Sequence, residues 1–251
     1  MHSDKFTKEY EIHYHQIDKN KKATPLSLIS LMEETAISHS QSVGLGIDEL
    51  EAANMVWVLN RWSIEIDSQP SWHDRISVIT WPSSFERFYA TREFKIKDPE
   101  GRTLVRASTL WILINFQKKR PIRIPLEFGD RYGISPEKAI DNPFGTIEPV
   151  GASHGAGSFP VRRSDIDTNG HVNNCRYVEW ALEQVPQDVY DNCRLQSLEV
   201  EYKKETTLGS TVNSLCRLSS EEKGMASFVH SILNEDKSLE LASAKTLWTA
   251  K

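Results

Sequence analysis

The sequence predicts an α+β protein of two similar domains, each an antiparallel sheet with one principal helix. Three observations predict it. Segments of helical periodicity occur twice, each preceded by an extended stretch and followed by a run of strands. The tetrapeptide Ile17-Asp18-Lys19-Asn20 before the first helix returns before the second as Ile166-Asp167-Thr168-Asn169, an offset of 167 − 18 = 149 residues. Between the two, from Gln117 to about Gly157, the pattern dissolves into Lys, Arg, Pro and Gly, with prolines at 121, 125, 136, 143 and 149. The expected division is therefore 1–120, a linker over 121–157, and 158–251.

The first helix is the plainest element. Thr24 can cap it, Pro25 suits its first turn, and Leu26, Ile29, Met32, Ala36 and Val43 recur near helical spacing before Gly44. Strands are expected over 55–67, 75–81, 88–97 and 103–116. In the first of these Trp62, Ile64 and Ile66 alternate with Ser63, Glu65 and Asp67, as in a half-buried strand. Asp98-Pro99-Glu100-Gly101 has the residues of a tight turn joining two strands as a hairpin. In the second half an extended stretch over 158–163 precedes a helix with Asn174 as its expected cap. Tyr177, Val178, Ala181, Leu182 and Val185 form the apolar stripe of that helix. Strands near 195–205, 210–218, 224–234 and 239–249 follow. At the same offset Ile29 matches Val178 and Glu34 matches Glu183.

Composition excludes several classes. Hydrophobic residues at 39% and charged residues at 26% describe an ordinary folded, soluble chain. A net charge of −5 argues against general nucleic-acid binding, which needs a strong positive field. No apolar run approaches a membrane span, and the start MHSDKFTKEY has neither a signal-peptide core nor a transit-peptide character, so the expected location is cytoplasmic. Three widely spaced cysteines, Cys175, Cys193 and Cys216, without a C-x-x-C pair, read as reduced thiols and supply no zinc site. His13-Tyr-His15 would put two imidazoles on one side of a strand, but no third ligand is evident, so no metal and no cofactor is expected.

The chemistry is concentrated in Asp165-Ile-Asp-Thr-Asn-Gly-His-Val-Asn-Asn174, which gathers acid, amide and imidazole groups just before a helix. Unpaired N–H groups at such a helix start suit a developing oxyanion. Asp167-x-Asn169-x-His171-Val-Asn-Asn, with Tyr177 and Trp180 after it, resembles the signature of plant and bacterial acyl-acyl-carrier-protein thioesterases. Glu201-Tyr-Lys-Lys-Glu205 resembles that family's later strand segment, whose final Glu belongs to the active site. Met32-Glu-Glu-Thr-Ala36, Val56-Trp-Val58, Arg61, Pro70-Ser-Trp72 and Arg106-Ala-Ser108 extend the likeness over nearly the whole chain.

The resemblance implies a tandem double hotdog, each half a sheet wrapped around its helix. It implies hydrolysis of fatty acyl-acyl carrier protein, with Asp167, Asn169, His171 and Glu205 as the catalytic set. The plant enzymes carry Cys directly after the final Glu, whereas Thr206 stands here, so a Cys-His-Asn scheme with that cysteine is excluded. Glu205, aligned through His171, would activate the nucleophile, Asn169 and the helix start would polarise the carbonyl, and Asp167 would attack directly or hold water.

The first repeat has Lys22 where the second has His171, so the N-terminal half is expected to house the acyl chain instead. By the same resemblance the strand from Ala90 to Phe94 influences chain length. Arg92 either lines or braces that pocket or is a strand arginine in a salt bridge, and Trp57 is a pocket candidate that, like Trp62 and Trp81, reads more readily as core. Basic clusters at Lys118, Lys119, Arg120 and Arg123, at Arg162 and Arg163, and at Lys203 and Lys204 are candidate docking patches for the acidic carrier. Two hotdog units in one chain allow a monomer, and a homodimer is also possible. Hydrolysis of acyl-coenzyme A, silent acyl binding and, last, dehydration of β-hydroxyacyl chains are the competing functions.

Overall fold

The computed structural model describes residues 5–151 and 155–251; the first four residues of the N-terminal segment and 152–154 of the expected linker lie outside the described residues. Two compact units emerge, Met1–Asn60 with Ile64–Pro143, and Arg61–Ser63 with Phe144–Lys251.

The first unit contains β1 (Phe6–Glu11), α1 (Pro25–Ser42), α2 (Ile47–Ala52), β2 (Met55–Ile66), β3 (Arg75–Glu86), β4 (Tyr89–Lys97), β5 (Thr103–Asn115), β6 (Arg120–Pro121) and α3 (Leu126–Tyr132). Its strands lie in the order β1-β3-β4-β5-β2, with β6 paired to β5. The β1–β3, β3–β4, β4–β5 and β5–β6 pairs are antiparallel. Thr24 caps α1 by accepting the Ser27 N–H at 3.1 Å, and Gly44 ends it with φ +68°. Leu28, Ile29, Leu31, Met32, Thr35, Ala36 and His39 form its buried face. That spacing of three and four is why a helix, not a strand, lies across the sheet. Pro82 is accommodated within β3 because the register shifts between Pro82 and Ser84, where no ladder bond is demanded of it. The Asp98–Gly101 turn closes with Gly101 N–H on the Asp98 carbonyl at 3.0 Å and Gly101 at φ +82°.

The second unit contains β7 (Gly155–Pro160), α4 (Asn174–Leu182), α5 (Gln187–Asn192), β8 (Cys193–Tyr202), β9 (Thr211–Glu222), β10 (Met225–Leu233) and β11 (Glu240–Ala250). Its order is β7-β9-β10-β11-β8. Counted from the start of each unit, both sheets run first, third, fourth, fifth, second strand. The antiparallel sheet with a buried central helix is thus built twice, and the chain is a tandem hotdog. Tyr177, Val178, Trp180, Ala181 and Leu182 are the buried face of α4. The cap of α4 is Asn173, not Asn174, its side chain accepting the Cys175 N–H at 2.8 Å.

The segment 121–157 is less uniform than its composition suggests. Residues up to Pro143 group with the first unit, and Phe128 and Tyr132 of α3 are buried in it. His13 and His15 do not share a strand face: His13 precedes a short 3₁₀ turn, Tyr14–Gln16, that contains His15, and their rings stack at 5.9 Å. Among the described residues no group of three or more His, Cys, Asp or Glu could hold a metal ion, and no helix is long and apolar enough to cross a membrane.

Candidate active site

One turn and one strand end of the second unit position the expected catalytic groups. Asp167 Oδ1 accepts the N–H of Asn169 at 2.8 Å and of His171 at 3.1 Å, while the Asp167 N–H donates to the His171 carbonyl at 2.8 Å. An isolated bridge between Ile166 and Val172 pinches the neck, and Gly170 takes φ +79°, which a residue with a side chain rarely adopts. Asn169 is exposed at the tip of this turn.

After β8 the N–H groups of Lys203 and Lys204 both donate to the Leu241 carbonyl, at 2.8 and 3.0 Å, which ends the strand pairing and turns the chain outward. The Val172 N–H then donates to the Thr206 carbonyl at 3.0 Å, clasping this segment to the turn. The clasp sets His171 Nδ1 3.2 Å from Glu205 Oε2, with side-chain exposures of 31% and 62%, so the pair is open to solvent and to a substrate. The structure therefore joins Asp167, Asn169 and His171 in one turn and brings Glu205 to the imidazole.

Beneath the turn, Asp165 is fully buried and receives Arg162 through its N–H at 2.8 Å and its guanidinium at 3.0 and 3.1 Å. Arg176 Nε lies 3.4 Å from the same carboxylate. Burial alone would raise the Asp165 carboxyl, but the Arg162 bonds, with the Arg176 charge, outweigh it and hold the pKa below the ordinary value. In the sequence Asp165 stands in the acid- and amide-rich run with no task of its own. Its place three residues after Arg162, spanning a 3₁₀ turn, was the available signal.

The first unit builds the same frame around different chemistry. Asp18 Oδ1 accepts the N–H of Asn20 at 2.8 Å and of Lys22 at 3.0 Å, and the Asp18 N–H donates to the Lys22 carbonyl at 2.9 Å. The Ala23 N–H donates to the Pro70 carbonyl at 2.8 Å, as Val172 does to Thr206. Pro70 thus stands for Thr206 and Gln69 for Glu205, and Gln69 Nε2 donates to the Ala23 carbonyl at 3.1 Å. Lys22 Nζ donates to Ser71 Oγ at 2.8 Å. The turn is common property of both halves; the imidazole and the carboxylate facing it are not.

The pocket candidates lie in the first unit. Ala90 is buried in an apolar cluster with Leu45, Leu50, Leu113, Ile124, Phe128 and Tyr132, and Trp57 packs against that cluster. Trp57 stacks with Phe85 at 6.4 Å. Trp62 and Trp81 are core, at 1% and 0% exposure. Arg92 is buried, its Nη1 3.1 Å from His39 Nδ1 and 3.3 Å from Thr80 Oγ1, and its guanidinium lies over the Tyr132 ring at 5.2 Å. It braces the cluster through neutral groups and not through the salt bridge that was one expectation. Burial, then the nearby Arg92 charge, push the His39 pKa down to about 3.

Residues 3–132 match the family model of the acyl-ACP thioesterase N-terminal domain, and residues 152–250 that of the C-terminal domain. The chain is 28% identical to the chloroplastic acyl-[acyl-carrier-protein] hydrolase FATB3 of Cuphea viscosissima, an alignment covering 98% of this chain and 63% of the relative. It is 26% identical to the solved acyl-ACP thioesterase of Bacteroides thetaiotaomicron, with a TM-score of 0.87 and 98% of each chain covered. The 12:0-ACP thioesterase of Umbellularia californica shares the fold, with a TM-score of 0.89 at 24% identity, covering 100% of this chain and 99% of that one. The chain spans roughly two thirds of the length of the curated relatives it matches.

Proposed function

This chain belongs to the acyl-ACP thioesterase family, and on that premise we propose that it hydrolyses the thioester of fatty acyl groups carried on acyl carrier protein, releasing free fatty acid and ending chain elongation. The observation that carries the reading is the contact of His171 Nδ1 with Glu205 Oε2, set on a turn whose copy in the other half lacks both groups. With the Glu205 carboxylate accepting the Nδ1–H, the imidazole is held in the tautomer whose Nε2 is free as a base. Nε2 takes a proton from water as its oxygen attacks the carbonyl carbon. When the C–S bond breaks, the same nitrogen returns the proton to the departing thiolate.

Asp167 has one oxygen engaged by two backbone N–H groups in a turn that Asp18 reproduces without chemistry. That oxygen is committed to closing the turn, and water, not Asp167, is the attacking group in this reading. Asn169 and the start of α4 polarise the carbonyl. Ala90, Arg92 and Trp57 are assigned to the acyl-chain pocket. The site is assigned no metal or cofactor, and a cytoplasmic location is part of the proposal.

The test is release of free acid from a chain-length series of acyl carrier protein thioesters, with matched coenzyme A thioesters and His171→Ala in parallel. Turnover of the carrier series, lost in the variant, is expected. Cleavage confined to coenzyme A thioesters would move the substrate, and binding without release would make this a silent acyl-binding protein.

Of the three basic clusters, those at 162–163 and 203–204 each have one member in an internal ion pair, Arg162 with Asp165 and Lys203 with Glu240. Lys118, Lys119, Arg120 and Arg123 are exposed and have no acidic partner among the described residues. We assign the carrier to this last cluster. Reversing the charge of Lys118, Lys119 and Arg120 is expected to raise KM for the carrier-bound substrate about 10-fold at low salt, through slower encounter. The KM for a short pantetheine thioester should stay as it was. An equal rise for both substrates would rule out docking at this cluster.

A further inference from the structure

A cleft of about 370 Å³ opens in the second unit, lined by Thr206, Ser210, Thr211, Asn234, Glu235 and Asp236. Thr206 follows Glu205 directly, so the cleft begins one residue from the carboxylate that meets His171. Its two walls are the loop before β9 and the turn between β10 and β11. The loop is pinned at both ends, the Val172 N–H donating to the Thr206 carbonyl at 3.0 Å and the Val161 N–H to the Ser210 carbonyl at 2.9 Å. The turn is pinned by Asn213, whose Nδ2 donates to the Asn234 and Glu235 carbonyls at 2.9 and 3.0 Å. Both walls are therefore fixed by the fold itself. The hydroxyls of Thr206, Ser210 and Thr211 have no hydrogen-bond partner among the described residues, and Glu235 and Asp236 have no basic one.

The first unit treats the same positions differently. Ser210 corresponds to Asp74 at the offset 206 − 70 = 136, since their carbonyls receive the equivalent N–H groups of Val161 and Ile12. Asp74 Oδ2 accepts the Ser71 N–H at 2.7 Å, which closes that loop on itself. Asp98, the counterpart of Asn234, accepts the Arg102 N–H at 2.8 Å and its Nε at 2.6 Å, and the same guanidinium lies 3.5 Å from Glu100. Acidic groups that the first unit neutralises internally are left open in the second, together with three hydroxyls. The open set stands in the half that carries His171 and Glu205.

We propose that this cleft holds the pantetheine arm that joins the acyl group to its carrier, its hydroxyls and acidic turn meeting the amides of the arm. The inference rests on the hydrolase reading above and names where the thiol side of that substrate lies. An acyl chain is apolar and gains nothing from hydroxyls and carboxylates. A phosphate is repelled by Glu235 and Asp236. The arm between them is uncharged, its amide N–H groups suit the carboxylates, and its carbonyls accept from the hydroxyls. Its thiol end then lies towards Glu205, and its phosphate end lies in solvent beyond the rim.

The experiment compares wild type with S210A, T211V and the double variant on one acyl group carried by pantetheine, by N-acetylcysteamine, which keeps one amide, and by ethanethiol, which keeps none. Each single variant should raise KM for the pantetheine thioester about 5-fold, the cost of one neutral hydrogen bond, with kcat within about two-fold of wild type. The ratio of variant to wild-type KM should fall as the thiol is shortened and reach about one for ethanethiol. An equal rise on all three thiols, or none on pantetheine, would overturn the proposal. In parallel, pantetheine alone is titrated into wild type and followed by backbone amide NMR. Shifts are expected over 206–211 and 234–236, and shifts confined to other segments, or no binding, would also overturn it. Wild type that cleaves none of the thioesters would sink the hydrolase reading, while the titration would still decide whether the arm binds here.

Discussion

Converting the proposed catalytic pair into the residues of the first unit, H171K with E205Q, is expected to give a folded chain whose release of fatty acid falls by roughly 10³-fold or more. The first unit supplies the argument for both parts. Its turn is closed by Asp18 with the same bonds that Asp167 makes, and its clasp to Pro70 copies the clasp to Thr206, yet it holds Lys22 and Gln69. Neither His171 nor Glu205 is therefore needed for the turn to form. A lysine of ordinary basicity is protonated at neutral pH and cannot take a proton from water, and the neutral glutamine beside it offers no carboxylate to take the proton instead. The thermal midpoint should change little, because the exchanged side chains are partly or largely exposed. Activity within tenfold of wild type would mean that the proton is handled elsewhere, and Asp167 would be the next group to test.

Much of the fold was legible because its signals are local. Thr24, Pro25 and Gly44 bracket α1, and the alternation around Trp62 marks β2. The segment after Gln117 was harder to read. Its prolines and basic residues resemble a linker, while α3 depends on Phe128 and Tyr132 meeting Leu45, Ala90 and Leu113, residues distant in sequence. Seven residues with two inward side chains carry too little periodicity to declare a helix. His13-Tyr-His15 would share a strand face only if extended, and here Gln16, accepting the His13 N–H at 2.8 Å, winds the stretch into a 3₁₀ turn.

The candidate site divides along the same line. Asp167, Asn169 and His171 were visible because one turn contains them, whereas Glu205, over thirty residues on, entered through family likeness. Tyr177 belongs to the apolar stripe of α4, and its ring is core. Arg92 is the reverse case. A strand arginine suggests a carboxylate partner, but only packing shows that His39, Thr80 and Tyr132 surround it.

Acid should destabilise the chain from about pH 6.5 downward, before its carboxylates titrate, because each unit buries a neutral histidine. His230 is fully buried with Nε2 2.9 Å from Thr246 Oγ1; burial lowers its pKa to about 4, against a smaller raising effect of the Ala181 backbone. His39, packed among Phe6, Tyr132 and Arg92, falls to about 3 by burial and by the Arg92 charge. Unfolding restores an ordinary value of 6.5 to both. Above that pH both states are neutral at these positions and nothing is lost. Below it the unfolded chain binds protons that the folded chain refuses, so stability declines until the folded values are reached. At pH 5 each histidine costs about 2 kcal/mol, from 1.4 kcal/mol per pKa unit over roughly one and a half units. Carboxylates held low in the fold, such as Asp165 and Glu137, act in the same direction, but their unfolded values of 3.8 and 4.5 delay their contribution to lower pH. The interval from 6.5 to 5 therefore belongs to the histidines. Thermal midpoints of wild type, H39Q and H230Q should converge as pH falls through that interval, each variant losing less than wild type whatever its starting stability. Parallel decline of all three would place the acid sensitivity in other groups.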